Sequence, residues 1–532
     1  MKRICLLILI FGFSLCNAQS WQWGRQGQLV GDKAIANCYV ATDVAGNAFL
    51  TGNFGIDAGD SIIFSNDTLI DWGYNLYFVK YNSAGTVLWA QQFGSQFYWE
   101  YPNSIITDVS NNVIISGNFN GSIGIGPYNL DGAAGMNFFI AKFDNNGKAL
   151  WALADSIVYP NTNYAYFYGS AADKLKNIFV TGTFNGTMLL GGVRLVVAGT
   201  AANTFIEKLD SNGKVLWAKN SISKYNCGSN AVTADKAGNT YITGNFKGST
   251  AFGSSTINCL TDVENVFIVK YDPAGNVLWA RESATPSLNN IGMGISIITD
   301  SIGNVYIDGI YNDTITFGSY TLVGGGNYFV KYDANGNVKW AKNIPSGGGV
   351  LASDECDNIY MSGNGVIKFD TSGNVICSSV LMPYLFTPLN IATDKTGNYV
   401  YVANVFANDS LFCGPDTLIS YGNDDPFVIR WKNCSVCSNA ESINALTDRI
   451  DEISIFPNPT TGIFTIQSSM VSGQSSVEIY NIMGQKMLTK ILRSAKDGKV
   501  IDLSNQPNGI YLYRVIKADG SLLGEGKVVL EK

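Results

Sequence analysis

The sequence predicts an all-β chain: seven four-stranded units closed into a ring, followed by a small β-sandwich. Three observations carry this. A hairpin, FIVKYDPAGNVLWA at 267–280, returns as YFVKYNSAGTVLWA at 77–90, FIAKFDNNGKALWA at 139–152, FIEKLDSNGKVLWA at 205–218 and YFVKYDANGNVKWA at 328–341. Gly is abundant at 57 residues, aromatic residues reach 12% and charged residues only 14%, which suits a turn-rich β protein and argues against disorder or a coiled coil. After Cys437 the repeat stops and a different β-rich pattern begins.

The first landmark of the repeat is an Asp ending an apolar run: Asp43, Asp108, Asp173, Asp235, Asp300, Asp354 and Asp394. The second is a basic residue before the tight turn: Lys80, Lys142, Lys208, Lys270, Lys331, Lys368 and Arg430. The third is a Trp after that turn: Trp89, Trp151, Trp217, Trp279 and Trp340, with Cys377 at the sixth position. Asp spacings of 65, 65, 62, 65, 54 and 40 show one short unit, the sixth. Each unit holds four alternating runs of five to eight residues, the strand pattern. In the turn DPAG 272–275, Asp272 accepts local N–H bonds, Pro273 presets φ, and Gly275 takes the left-handed conformation of a bulged three-residue hairpin. Four-stranded units at this period make a β-propeller, because one blade alone cannot cover both of its faces. Unit seven has three strands (390–394, 399–406, 427–432) and no fourth, while SWQWGRQ 20–26 begins the mature chain with Trp23 in the strand-four pattern. The N-terminal strand is therefore expected to close the ring.

MKRICLLILIFGFSLCNAQS opens the chain with Lys2 and Arg3, an apolar stretch at 4–15 and a small-residue cleavage site at Asn17-Ala18. This is a signal peptide, with cleavage expected near Ala18, and no other run is long enough to span a bilayer. Net charge is −7 with no basic block, which disfavours nucleic-acid binding. His is absent, which removes the usual general base, the His-dependent triads and imidazole zinc sites. An enzyme is less expected than a binding protein on that ground. Eight cysteines remain beyond the signal: Cys38, Cys227, Cys259, Cys356, Cys377, Cys413, Cys434 and Cys437. They allow on the order of a hundred pairings, and structural pairing is preferred over a redox reading of the CxxC at 434–437.

The repeat resembles that of bacterial seven-bladed β-propeller repeat proteins, through F-x-x-K-[YF]-D-x-x-G-x-x-x-W-A followed by T-D-x-x-G-N-x-Y-x-[TS]-G-x-F over about residues 20–432. That resemblance implies a fold and no common activity. The D-x-x-G-x-x-x-W hairpin is also similar to those of quinone-dependent dehydrogenase propellers, with no quinone site apparent. Behind a polar linker at 438–452, the segment 453–532 shows PNP-x-x-G (Pro457, Asn458, Pro459, Gly462), Y-N-x-x-G-Q (Gly484), L-x-x-x-P-x-G-[IV]-Y (Gly509, Tyr511) and a basic last strand. It resembles the type A C-terminal sorting domain of the type IX secretion system. Its roughly seven short strands with turns predict a small Ig-like β-sandwich, and the resemblance implies a Bacteroidota-type source, recognition by the secretion machinery, and a product released or held on the outer surface. The expected domains are thus signal 1–18, propeller 19–437, linker 438–452 and sorting domain 453–532.

Seven repeated Asp and seven repeated basic residues suit scaffolding better than one active site, so function is expected in the connections that do not repeat. Two of these, QFYWEYPN 96–103 and SIVYPNTNYAYFY 156–168, join successive blades and are rich in aromatics. Tyr98, Trp99, Tyr101, Tyr164, Tyr166 and Tyr168 are the candidate ligand contacts, for a glycan by stacking or for a protein partner. The alternative is that these rings pack on neighbouring insertions. Unit six replaces its insertion by SGNGV 362–366, leaving a notch in the rim. A carboxylate-based carbohydrate-active enzyme is an alternative reading, drawing on Glu100, Asp155, Glu207, Glu282 and Asp308, and needs two carboxylates across one cleft. Asp308 stands where other units have Thr51, Ser116, Thr181, Thr243 or Ser362. A purely structural surface protein is a third reading. No cofactor and no metal are expected, since a three-residue hairpin gathers few oxygens for calcium.

Overall fold

The computed structural model describes residues 20–433 and 453–532, apart from short segments at 32–36, 56–58, 71–72, 74, 96–98, 159–164, 261–262, 286–290, 345–348, 382–389, 395, 408–409, 421–423, 469–474, 482–484, 493–498 and 518–521. The signal sequence, Tyr98, Tyr164, the CxxC, the linker and Gly484 lie outside the described residues. The chain divides into two compact units, 1–436 and 437–532.

The first unit contains seven four-stranded antiparallel blades among the described residues. Blade one is Cys38–Thr42, Ala48–Phe54, Asn75–Tyr81 and Val87–Gly94. Blade two is Glu100–Thr107, Val113–Ile125, Tyr128–Phe143 and Ala149–Val158. Blade three is Ala165–Ala172, Ile178–Phe184, Asn203–Leu209 and Val215–Ser223. Blade four is Cys227–Ala234, Thr240–Phe246, Asn265–Tyr271 and Val277–Glu282. Blade five is Gly292–Thr299, Val305–Tyr311, Gly326–Tyr332 and Val338–Ile344. Blade six is shorter: Leu351–Ser353, Ile359–Ser362, Gly365–Phe369 and Val375–Val380. Blade seven is Asn390–Thr393, Tyr399–Phe406 and Asp425–Lys432, with Ser20–Gln26 paired antiparallel to the last of these. Each first strand packs beside that of the next blade, and the first strand of blade seven packs beside that of blade one, so the ring closes. Threonine hydroxyls stitch the inner strands across blade boundaries: Thr107 to Thr42 O at 2.7 Å, Thr42 to Thr393 O at 2.6 Å and Thr393 to Ser353 O at 2.8 Å.

The turn Asp residues build their turns. Asp235 Oδ1 accepts the N–H groups of Ala237 and Asn239, both at 2.9 Å, and Oδ2 accepts Asn239 Nδ2 at 2.8 Å. Asp43, Asp108, Asp173, Asp300 and Asp354 repeat this arrangement. Asp394 differs, accepting from Tyr399 N and Thr396 Oγ1, because its turn is one residue longer.

The Lys and the Trp hold successive blades together. Lys208 Nζ and Trp217 Nε1, both of blade three, donate to one acceptor, the Pro273 carbonyl in the tight turn of blade four, each at 3.1 Å. Lys142 and Trp151 converge likewise on Ser211 O, Lys270 and Trp279 on Ala334 O, and Arg430 and Trp23 on Ser83 O. Lys80 reaches Asn145 O and Lys331 reaches Thr371 O in the same way. The turn Gly of the receiving blade lies flat on the indole. A Cβ on Gly275 would fall 2.8 Å from the Trp217 ring, and the φ of +83° already excludes most side chains. Three of the cations also face a turn Asp of their own blade, Lys142 and Asp108 at 2.9 Å, Lys80 and Asp43 at 3.9 Å, and Lys331 and Asp300 at 3.9 Å.

A second tie runs round the rim. Hairpins inserted between strands two and three pair with the prolonged fourth strand of the preceding blade. Val215–Ser223 pairs with Ser249–Phe252, and Ala149–Val158 with Thr187–Leu190. Shorter contacts join blades one and two at Gly94 and Gly124, and blades four and five at Ala284 and Thr316. At the closure, Gln28–Val30 pairs with Ser61–Phe64. Blade six has only the turn at 362–365 between its second and third strands, so no hairpin reaches back to blade five.

The second unit is a two-sheet sandwich. Ile453–Phe456, Ile463–Ser468 and Lys499–Asp502 form one sheet. Ser475–Asn481, Lys486–Leu492, Gly509–Lys517 and Leu522–Leu530 form the other. Phe464, Ile466, Val477, Ile479, Val515 and Val528 fill the space between.

The clamp generates a comparison between glycines. Gly275→Ala adds left-handed strain and a collision with Trp217, and should lower the unfolding free energy by about 2–5 kcal/mol. Gly192 has φ +93° with nothing within 4 Å of a Cβ. Gly192→Ala should therefore cost only the strain, about 1–2 kcal/mol. Urea denaturation of both variants measures the difference.

Candidate functional site

Where the inner strands meet, they enclose an axial cavity of about 390 Å³, lined by residues of all seven blades. Among the described residues its wall carries no Asp, Glu, Lys or Arg; the polar groups there are Tyr39, Asn103, Ser104, Tyr168, Ser170, Asn230, Thr233, Ser296 and Asn390. Several lock neighbouring blades: Asn103 Nδ2 donates to Phe167 O at 2.7 Å, Asn230 Nδ2 to Gly294 O at 2.8 Å, and Asn390 Nδ2 to Cys38 O at 2.8 Å. Asn103 Oδ1 is buried and has no partner.

The first strands of blades two to five carry a bulge at one level, between Pro102 and Ser104, Phe167 and Gly169, Ser229 and Ala231, and Gly294 and Ser296. The extra residues are Asn103, Tyr168, Asn230 and Ile295. A bulge re-aims a side chain, here towards the axis. Sequence reading missed Asn103 and Asn230; the available signal was their fixed place five residues before the turn Asp.

Of the six aromatic candidates, four are described, and they come together. Burial alternates from Trp99 to Asn103 and from Ala165 to Tyr168, which puts Trp99, Tyr101 and Asn103 on one face and Tyr166 and Tyr168 on another. Trp99 is 51% exposed, Tyr166 42% and Tyr168 41%. Trp99 meets Tyr101 edge-on, with ring centroids 6.4 Å apart, and Tyr166 lies 6.3 Å from Tyr168. The two strands are adjacent, joined by the Asn103–Phe167 bond and by Ser104 Oγ against Ser170 Oγ at 2.7 Å. Tyr168 itself lines the cavity. The two aromatic pairs thus stand on adjacent inner strands, before the cavity-lining residues Asn103 and Tyr168 in sequence. Their half-exposed rings offer faces for stacking, and the amides and hydroxyls offer hydrogen bonds.

Glu100, Glu207, Glu282 and Asp308 do not line that cavity. Glu100 and Asp155 stand on the first and fourth strands of blade two, Glu207 on blade three, Glu282 on blade four and Asp308 on blade five. Glu100 is fully buried and accepts Ser95 Oγ at 2.5 Å.

In the second unit the sorting-motif residues tie the last strand in place. Asn458 donates Nδ2–H to Lys527 O at 3.0 Å and accepts Val529 N–H at 2.8 Å. Both Pro457 and Pro459 follow cis peptide bonds. Gly462, at φ +141°, passes so close to Ser504 that a Cβ would collide, and its carbonyl accepts Leu503 N–H at 2.7 Å. Gly509 opens the strand in which Tyr511 is buried with its hydroxyl on Pro507 O at 2.8 Å.

Residues 454–530 match the family described as a secretion system C-terminal sorting domain. This segment is a type IX secretion sorting domain, and it directs the chain to the secretion machinery and to export beyond or onto the outer surface. An uncharacterised WD repeat-containing protein of Acanthamoeba polyphaga mimivirus is 27% identical over 339 residues, 51% of this chain and 24% of the relative. The chain thus spans about a quarter of the relative's length. Among solved structures, PorZ, a surface component of the type IX secretion system of Porphyromonas gingivalis, is similar with TM-score 0.32 and 11% identity over 93% of this chain and 70% of that one. The Neurospora crassa Pan2 WD40 domain gives TM-score 0.39 and 9% identity over 77% of this chain and 97% of that one. BamB of Moraxella catarrhalis gives TM-score 0.31 and 12% identity over 78% and 98%.

Asp308 has a marked physical oddity. It is fully buried in the seam between blades five and six, where Gly349 N–H donates to Oδ2 at 2.9 Å and Oδ1 has no partner. At the matching seam between blades three and four, Thr181 meets Ser229. An Asp in place of the Thr and a Gly in place of the Ser keep the seam filled. Burial drives the Asp308 carboxyl well above its ordinary range, and backbone N–H groups of Gly349 and Ser296 only partly oppose this. The folded chain therefore holds a proton that the unfolded chain releases at about pH 4. The stabilisation from protonated Asp308 is complete below that pH and declines as pH rises towards the folded value. Asp308→Asn should raise the melting temperature at neutral pH, and the gain over wild type should shrink to near zero below about pH 4. Thermal scans across that range check it.

Proposed function

We propose that this chain is an exported propeller that captures a ligand on its loop face, with the aromatic pairs of Trp99, Tyr101, Tyr166 and Tyr168 as the contact and an uncharged glycan as the ligand class. The observation that carries the reading is that two aromatic pairs stand on adjacent inner strands, one of them including Tyr168 in the wall of a cavity with no charged lining residue among the described residues. Sugar rings stack their C–H faces on aromatic side chains, and neutral hydroxyls exchange hydrogen bonds with amides and hydroxyls such as those of Asn103, Ser104 and Asn230. An acidic polysaccharide or nucleic acid finds no cation there to pair with. A folded protein ligand would use the same rings as anchors. Tyr98 and Tyr164 belong to the same two connections in the sequence and extend the candidate contact.

The sorting domain fits this role: a binder that is delivered outside the cell meets polymeric ligands there. The mature form is proposed to run from residue 19, with 438–452 as the linker between propeller and tail.

Two measurements test the proposal. On a panel of neutral and acidic polysaccharides, the full chain should bind neutral members without releasing product, and Trp99→Ala with Tyr166→Ala should weaken binding at least ~30-fold at unchanged melting temperature, as loss of two stacking contacts implies. Product release, or binding untouched by both substitutions, contradicts it. Separately, a chain ending at residue 452 should be processed at the inner membrane yet be absent from the outer surface and medium, judged by cell fractionation.

A further inference from the structure

A second cleft opens at the seam where blade seven meets blade one. Its volume is about 640 Å³, and it shares no lining residue with the axial cavity. One wall is the N-terminal strand Ser20–Gln26 together with Asp416–Ile419, the second strand of blade seven's rim hairpin. The other wall is Ser65, in the turn of blade one's rim hairpin, and the tight turn at Gly85–Val87. The closure of the ring thus builds a cleft from both chain ends of the propeller.

Ser65 holds a backbone conformation that its counterparts reserve for Gly. The rim hairpins turn in two residues, and the first of the two is left-handed in each: Gly126, Gly191, Gly253, Gly318 and Gly414 have φ between +49° and +67°, and Ser65 has φ +59°. A side chain at such a position carries strain that Gly avoids. Ser65 is exposed, and among the described residues its hydroxyl has no partner to offset that cost. Strain kept at the edge of a cleft points to a use for the side chain that causes it.

Facing it is an ion pair held on all its inner sides. Arg25 donates Nε–H to Gly85 O at 2.8 Å, and Nη1–H to Gly24 O at 2.6 Å and to Asp416 Oδ2 at 2.8 Å. Its guanidinium lies 5.6 Å from the Trp23 ring centroid. Asp416 Oδ2 also accepts Gly24 N–H at 3.1 Å. These bonds fix the pair and leave Arg25 Nη2 and Asp416 Oδ1 without a partner among the described residues. Both side chains are about one-third exposed, at 37% and 33%, and both line the cleft. The cleft therefore presents a donor and an acceptor side by side, with net charge zero, and a free hydroxyl opposite.

The geometry points to a second binding site, in which Arg25, Asp416 and Ser65 take a neutral saccharide residue through adjacent hydroxyls. One ligand hydroxyl donates to Asp416 Oδ1, and its neighbour's oxygen accepts Arg25 Nη2–H. These are hydrogen bonds to charged groups, the stronger kind. Ser65 Oγ donates to or accepts from a third hydroxyl. A carboxylate or sulfate is disfavoured, because it would meet the Asp416 carboxylate beside the guanidinium. A lone cation is disfavoured for the mirror reason. The site stands apart from the aromatic pairs and does not rest on their role.

Titration calorimetry on the full chain carrying Trp99→Ala and Tyr166→Ala tests the site with the aromatic contact removed, so the two readings fail separately. The neutral probes are cellohexaose, mannohexaose and xylohexaose, and the acidic probe is hexagalacturonate. At least one neutral probe should bind with a Kd of ~1 mM or tighter, and hexagalacturonate at least ~10-fold more weakly than that probe. Adding Ser65→Gly should weaken the neutral probe by about 3- to 10-fold while the melting temperature holds or rises, since strain is removed with the hydroxyl. Adding Asp416→Asn should weaken it at least ~10-fold. Ser65→Gly cannot fail through misfolding, because Gly is the residue the other hairpins use. No binding by any neutral probe, hexagalacturonate binding as tightly as the best of them, or a Kd unchanged by Ser65→Gly would each overturn the assignment.

Discussion

The fold depends on a single carbonyl in each of six blades, those with a tight turn between their third and fourth strands. The backbone oxygen at the second position of each tight turn receives the cation of the preceding blade's third strand and, at four junctions, the indole N–H of its fourth. This explains why a charged residue is tolerated inside a propeller wall. Lys80 and Lys142 side chains are only 6% and 4% exposed, and burial lowers the ammonium pKa of Lys80, Lys270, Lys331 and Lys368. Turn Asp carboxylates of the same blade oppose that shift, and aromatic rings at 4.9–5.7 Å lie under the charge at Lys80, Lys208, Lys270, Lys331 and Lys368. A buried charge with partners on every side holds geometry, and removing any one partner exposes its full desolvation cost.

The departures from the rule cluster around blade six. It has the shortest strands, no rim hairpin, a Cys for the clamp Trp, and a buried acid at its seam with blade five. Trp340, which reaches over Gly373 of that blade, has an indole N–H without a partner. The buried acid is answered locally, by the Gly349 N–H beside Asp308.

Much of this was legible in the sequence, and the limit has a physical cause. Alternation and turn chemistry are local, so the strands, the Asp-started turns and the hairpin bulge at Gly275 could be read directly. The Lys and Trp were legible as packing residues, but their acceptor was not. A backbone carbonyl is offered equally by Asn145, Ser211, Pro273, Ala334 and Thr371, so no side-chain letter marks it. The rim pairing was hidden for the same reason, since its bonds join backbones of different blades. At the candidate site, aromatic richness pointed to the right connections. The inner-strand bulges that turn Asn103 and Tyr168 to the axis left only a faint trace, one residue more than strict alternation allows. The sorting tail was legible because Asn458, Gly462 and Tyr511 act through their side chains or their lack of one.

The central claim is that the repeated residues hold the ring while the variable connections hold the function. The most direct test is a Lys208→Met, Trp217→Phe double variant, measured for unfolding in urea and for retardation in a gel carrying a bound polysaccharide. The account predicts a lower unfolding midpoint and unchanged retardation while the protein is folded. Lost retardation with an unchanged midpoint would place function in the repeat and contradict it.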